Sequence, residues 1–287
     1  MKYKFLRFPE GKAKAVTFSY DDSCRTDIKL AETADKYGIK VTFNVNSSRI
    51  SQNIGDWTLT KEEIKKYYLD KGHEVALHTA SHLANGLQST ADGIKDVLDC
   101  RTGLESALGI IVRGMAYPDS GITNFKNGLC YEDVKNYLTA LGITYSRSLG
   151  GDNNDFYLPS DWHNWVPTAH HDNPELFNYI EQFLNIDCNN GYQSRLMSRL
   201  FYLWGHSFEF DNNNNWDRLE EICQKLGGKE DIWYATNGEI YDYVTAFNSL
   251  IFSADSSIVH NPTATTVWFM YGQTLYSVAP NETKKIQ

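Results

Sequence analysis

Short apolar runs alternate with amphipathic segments over the first 250 residues, and that rhythm leaves the chain few folds to choose from. Lys14–Ser19, Val41–Val45, Glu74–Leu77, Val112–Ala116, Ile143–Ser146, Leu200–Trp204 and Ile232–Ala235 read as strands. Asp27–Tyr37, Thr60–Lys71, Thr90–Leu108, Tyr131–Leu141, Pro174–Leu184, Trp216–Leu226 and Glu239–Asn248 read as helices. Gly38 and Gly72 mark two helix ends, and Thr60 with Glu63 has the spacing of a capping box. Strand–helix alternation at this spacing predicts βαβ units and a parallel sheet. Residues 150–172, rich in Asn and aromatic residues, read as irregular. From Ser249 the sequence becomes β-branched and aromatic, with turns at Asn261-Pro262, Gly272 and Pro280-Asn281. The expected organisation is a (β/α) barrel over 1–248 and an all-β extension of three or four antiparallel strands over 249–287.

A closed or nearly closed barrel fits better than an open sheet because polar residues cluster just after several strands. Asp21 and Asp22 follow the first, His78 and His82 the third, Tyr117 to Ser120 the fourth, and His206 the sixth. Barrel enzymes carry their chemistry at that C-terminal rim. In His78-Thr-Ala-Ser-His82 the two imidazoles can close on one ion, on a helix face or in a tight loop. A carboxylate from Asp21-Asp22 would complete a set of two His and one Asp, which leaves open positions as a catalytic metal needs. Zn²⁺ suits these ligands best, with Co²⁺, Mn²⁺, Ni²⁺ or Fe²⁺ as alternatives. Adjacent aspartates in a straight strand point to opposite faces. The chain must therefore turn there if both are to reach one pocket, with one on the metal and the other beside the attacking water. A helix N-cap is the bland role for one of them.

These motifs, in this order, resemble the polysaccharide deacetylases, carbohydrate esterase family 4, over about residues 14–245. Ser-Tyr-Asp21-Asp22, His78-x-x-x-His82, Met-Ala-Tyr117-Pro118 with Gly121, and Trp-Gly-His206-Ser carry the likeness. The resemblance implies a distorted (β/α)₇ barrel, one divalent metal, and hydrolysis of acetyl groups from N-acetylated or, second, O-acetylated sugars. It implies Asp22, His78 and His82 as metal ligands, Asp21 as general base and His206 as general acid. It also implies an oxyanion-binding turn at Tyr117, Pro118 and Asp119, and Trp165 as an apolar wall near the acetyl methyl. Asp161-x-x-x-Trp165 resembles the fourth motif only loosely.

The chain departs from the family pattern at three places. Ser23 stands where Gly is usual. Ala116 stands where an arginine usually pairs with the base, Arg113 being the nearest arginine on that strand. Asp119 stands where Tyr is frequent. These departures keep two rivals in play, a carbon–nitrogen hydrolase of a small non-sugar amide and a catalytically silent carbohydrate-binding homologue.

Composition bears on partners. A net charge of −9 argues against nucleic acid and anionic membranes, and no apolar stretch approaches the roughly 20 residues of a spanning helix. The start of the chain lacks an apolar signal core, so a cytoplasmic location is expected, a trimmed exported form being the alternative. The five widely spaced cysteines read as free thiols, Cys24 being a remote candidate for a fourth ligand. Aromatic residues, 14% of the chain, would serve either a sugar site or the core. His170-His171 reads as solvent-facing helix lead-in, the alternative being that one of the two faces the pocket and touches substrate; Trp204 reads as packing, and Glu209 as a residue that could orient His206. The sequence carries no signal for an oligomeric state.

Overall fold

The structure is a computed structural model and describes residues 2–51, 57–149, 151–189 and 196–286. It forms a distorted (β/α)₇ barrel with a small β module. Strand β1 (Lys4–Arg7) is followed by β2 (Lys14–Asp21), helix α1 (Asp27–Lys36), β3 (Val41–Val45), α2 (Ser47–Ser51), α3 (Lys61–Tyr67) and β4 (Glu74–Leu77). Next come α4 (Thr90–Leu108), β5 (Gly114–Ala116), α5 (Tyr131–Ala140), β6 (Tyr145–Arg147), β7 (Ala169–His170), α6 (Leu176–Asn185) and β8 (Arg199–Gly205). The chain continues through α7 (Phe208–Asn212), α8 (Trp216–Leu226), β9 (Ile232–Tyr234) and α9 (Asn237–Asn248).

The sheet runs β6-β5-β4-β3-β2-β8-β7, every pairing parallel, and β9 adds to the lower half of β2. A parallel bridge from Arg147 to Trp165 joins β6 to the segment leading into β7, which brings the two sheet edges together. The stretch expected to be irregular thus contributes a two-residue strand, β7, and helps close the barrel. Two residues are too few to show a period.

Every residue of β2 is buried, so the strand has no wet face, as befits a parallel strand covered on both sides. Val16, Phe18 and Tyr20 pack into the main core with the helices. The alternate positions Thr17, Ser19 and Asp21 must face the barrel interior, where Asn44 Nδ2 donates to Ser19 Oγ at 2.8 Å and to Asp21 Oδ1 at 2.8 Å. On β8 the same alternation puts Phe201 and Leu203 in the main core and Tyr202 in a second cluster with Tyr145 and Trp165. This two-residue period decides which rim side chains converge.

The last segment forms β10 (Ile251–Phe252), β11 (Ile258–His260), β12 (Val267–Tyr271), β13 (Thr274–Val278) and β14 (Thr283–Lys285). Two three-stranded antiparallel sheets result, β10-β11-β14 and β1-β12-β13. The second recruits β1 from the start of the chain, with Lys4 opposite Tyr271 and Arg7 opposite Trp268. No helix among the described residues is long and apolar enough to cross a membrane.

Candidate active site

Asp21 ends β2 on the interior face. Asp22 would continue to the helix side, but its φ of 78° and the φ of 46° at Ser23 swing the chain back. Two successive non-glycine residues in the left-handed region are costly. The turn that brings both carboxylates to one pocket is present, and it is made without the glycine.

His78 directly follows β4 and is buried. Its Nδ1 lies 2.9 Å from the carbonyl oxygen of Ala116. A carbonyl only accepts, so Nδ1 carries the proton and Nε2 keeps its lone pair for a metal. The next four residues form a tight loop, not a helix, with φ of 54° at Thr79 and 57° at His82. Asp96 ties that loop down, accepting from the Ser81 backbone N–H at 2.8 Å and from Ser81 Oγ at 2.8 Å. The two imidazole centroids end 4.9 Å apart. Donor atoms of Asp22, His78 and His82 lie within 4.8 Å of one another, with His82 Nε2 3.3 Å from Asp22 Oδ1. One aspartate and two neutral-capable imidazoles at this spacing fit a divalent ion with open positions. Arg49 from α2 donates to Asp22 Oδ1 at 2.7 Å.

Asp21 and His206 flank this cluster. Asp21 Oδ2 is 3.8 Å from His78 Nε2 and 3.9 Å from His206 Nε2. Asp21 also pairs with Arg147, a residue that sequence reasoning did not single out. Arg147 ends β6, is fully buried, and stacks on Trp204 with its guanidinium 4.4 Å from the ring centroid. Its Cα partner across the sheet is Ala116, the position where an arginine was expected. In-register neighbours on parallel strands point the same way, so the cation has in effect moved one strand over. Arg113 instead forms an exposed pair with Asp242 at 2.7 Å. The legible signal was an arginine at the end of an apolar strand, one residue beyond the predicted limit at Ser146.

Burial pushes the Asp21 carboxyl up, but Arg147, His78 and His206 outweigh it and hold the group below its usual value. His206 sits in the opposite field. Burial pulls its pKa down, yet the Glu209 and Asp21 carboxylates more than compensate and raise it. Glu209 Oε2 accepts from the His206 backbone N–H at 3.0 Å and lies 3.3 Å from the imidazole Nδ1.

Glu209 Oε2 also lies 3.1 Å from His170 Nε2 and 3.3 Å from His171 Nε2. His171 is therefore not solvent-facing: it is fully buried, stacked on Phe210 with centroids 4.1 Å apart, and its pKa falls to about 3 through burial. Although His170, His171, Asp172 and Glu209 bring four donor groups together, His170 Nδ1 accepts the Asp172 backbone N–H at 3.1 Å. With Nδ1 accepting, His170 Nε2 is the ring nitrogen that faces Glu209, so this group reads as side chains gathered around the Glu209 carboxylate beside His206.

The remaining sequence candidates divide. Asp119 is exposed with φ 50°, and Pro118 is buried in the turn at the rim. The Tyr117 side chain is fully buried, its hydroxyl donating to the His163 carbonyl at 2.9 Å, so only its backbone borders the rim. Trp165 is also fully buried, packed edge-on against Trp162, Tyr145 and Tyr202. It builds the second core cluster; the rings beside His206 are Phe208 at 5.2 Å and Trp204 at 6.0 Å. Asp161 accepts from Tyr131 and Lys135 and caps the turn holding His163. Cys24 Sγ contacts Thr26 and Ser207 hydroxyls at 3.2 Å and is not among the converging donors.

Residues 9–145 match the family described as polysaccharide deacetylase. A Mycobacterium smegmatis protein assigned to the polysaccharide deacetylases superposes with a TM-score of 0.59 at 16% identity, covering 86% of this chain and 96% of the other. The peptidoglycan deacetylase PdaC of Bacillus subtilis gives 0.51 at 16% identity, over 84% and 95%. The chain spans about half, 55%, of the Streptococcus pyogenes deacetylase PplD, at 18% identity over 47% of this chain and a TM-score of 0.41. No curated protein sequence matches the chain.

Proposed function

Since residues 9–145 belong to the polysaccharide deacetylase family, we propose that this chain is a metal-dependent deacetylase acting on N-acetylated sugar residues, with O-acetyl esters as secondary substrates. One observation carries the reading. The Asp22, His78 and His82 donors converge within 4.8 Å, with Asp21 3.8 Å from His78 and His206 3.9 Å from Asp21. The donor set fits Zn²⁺ best, and an ion held there would supply Lewis acidity to the acetyl carbonyl and to water.

The side chains divide the proton work. Asp21 is ionised across the neutral range and takes the proton of the attacking water. His206, its pKa raised, holds a proton and gives it to the departing amine, without which a C–N bond breaks poorly. Two groups whose surroundings drive their pKa values apart are the mark of an acid/base pair. The turn at Pro118 and Asp119 would supply the Asp119 backbone N–H to the oxyanion. Arg147 and Glu209 are positioning residues for Asp21 and His206 respectively. The retained pair of proton-transfer groups favours an enzyme over a silent binder, and the family likeness favours sugars over small amides.

The test is acetate release from N-acetylglucosamine oligomers, beside a panel of small amides, before and after chelation and after Zn²⁺ is restored. Loss on chelation and recovery with Zn²⁺ are expected. Turnover indifferent to chelator removes the metal reading, turnover confined to small amides removes the sugar, and glycan binding without turnover under any divalent ion leaves a binding protein.

A further inference from the structure

Resting on the sugar reading above, we propose that Trp57, backed by Phe208, forms a stacking platform for a pyranose ring next to the one that carries the acetyl group. Trp57 is 47% exposed, although indole is among the side chains that gain most from burial. Two neighbouring side chains hold its place. The Arg49 guanidinium lies 5.3 Å from the Trp57 ring centroid and also binds Asp22. The Phe208 ring lies 6.0 Å from Trp57, tilted to it, and 5.2 Å from His206. The indole is thus one side chain away from both a candidate metal ligand and the candidate acid.

The backbone under it is pinned as well. The Trp57 carbonyl accepts the Arg25 N–H at 2.9 Å, Leu59 N–H donates to the Ser23 carbonyl at 3.3 Å, and Thr58 bridges Cys24 antiparallel. The segment carrying the indole is therefore stitched to the strained Asp22–Ser23 turn. A pre-positioned aromatic face costs little ordering entropy when a ligand lands on it. Its natural partner is the apolar C–H face of a sugar, which needs no charge and no fixed hydrogen bond. The platform acts on the neighbouring residue of an oligosaccharide, so its contribution must depend on chain length.

The experiment compares Trp57→Ala and Trp57→Phe with the native protein, loaded with Zn²⁺, on N-acetylglucosamine oligomers from the monomer to the tetramer. For Trp57→Ala, kcat/KM on the tetramer should fall about tenfold, mostly through KM, and the loss should shrink as the oligomer is shortened to the monomer. Trp57→Phe, which keeps a ring, should recover part of the loss. Thermal midpoint and bound zinc, measured on each variant, report whether the fold and metal cluster are intact. An equal loss on monomer and tetramer, or none on either, overturns the platform and leaves the deacetylase assignment standing. Native protein that releases no acetate from any oligomer overturns that assignment and the platform with it.

Discussion

The two flanks of the site are built on opposite electrostatic plans. On one, a fully buried arginine meets the carboxylate of Asp21 deep in the barrel. On the other, a half-buried glutamate meets the imidazole of His206 nearer to water. Each plan stabilises the charged form of its group. The carboxyl is held ready to accept a proton and the imidazole ready to give one. The lesson is that the strand ends set where the two proposed proton-transfer groups stand, while their charged partners come from other positions, Arg147 from the end of β6 and Glu209 from three residues beyond His206.

Breaking the flanks one at a time tests this contrast. The largest effect is expected from Asp21→Asn, which removes the base while keeping the shape; acetate release should drop roughly a thousandfold, within the usual range for a lost general base. Next, Arg147→Met should lower kcat about tenfold to a hundredfold. It should also move the acidic limb of the pH–rate profile upward by about one unit, since Asp21 loses the cation that depresses it. Moving the charge back, in Arg147→Ala with Ala116→Arg, should restore part of the rate if position on the strand matters less than charge at that height. No recovery in the double variant, with fold and metal intact, would show that the geometry of β6 matters beyond its charge.

Glu209→Gln should act on the other limb. As the proposed acid, His206 must be protonated, so activity should be lost as pH rises through its raised pKa. Removing the Glu209 charge should bring that loss about one pH unit lower, read from the same profiles. The penalty should be greater on an acetamide than on an aryl acetate, whose leaving group needs little protonation. The smallest effect concerns the turn between the flanks. Ser23 holds φ 46° and its buried hydroxyl has no hydrogen-bond partner among the described residues. Ser23→Gly should raise stability by up to about 1 kcal/mol in chemical denaturation.

The five candidate metal and proton-transfer residues were legible because each lies just beyond an apolar run, and strand ends set the rim. The need for a turn at Asp21-Asp22 was legible too, since period-2 geometry forbids two adjacent side chains from sharing a face. Arg147 was not, because pairing it with Asp21 requires knowing which strands are neighbours and in what register. The two-residue β7 and the buried state of His171 were hidden for a related reason: both depend on the segment's place between β6 and β8 and not on local pattern. The burial of Trp165 was not legible either, because its neighbours Tyr145 and Tyr202 come from strands distant in sequence. β1 escaped notice because its partner lies at the other end of the chain.

That last pairing bears on the order of folding. Residues 4–7 cannot find residues 268–271 until all the sequence between them exists, and closing so long a loop carries a large entropic cost. The barrel strands pair mostly with neighbours closer in sequence, so they can assemble first. The β1-β12-β13 sheet then acts as a late latch, and deleting β1 should loosen β12 and β13 before it disturbs the candidate site.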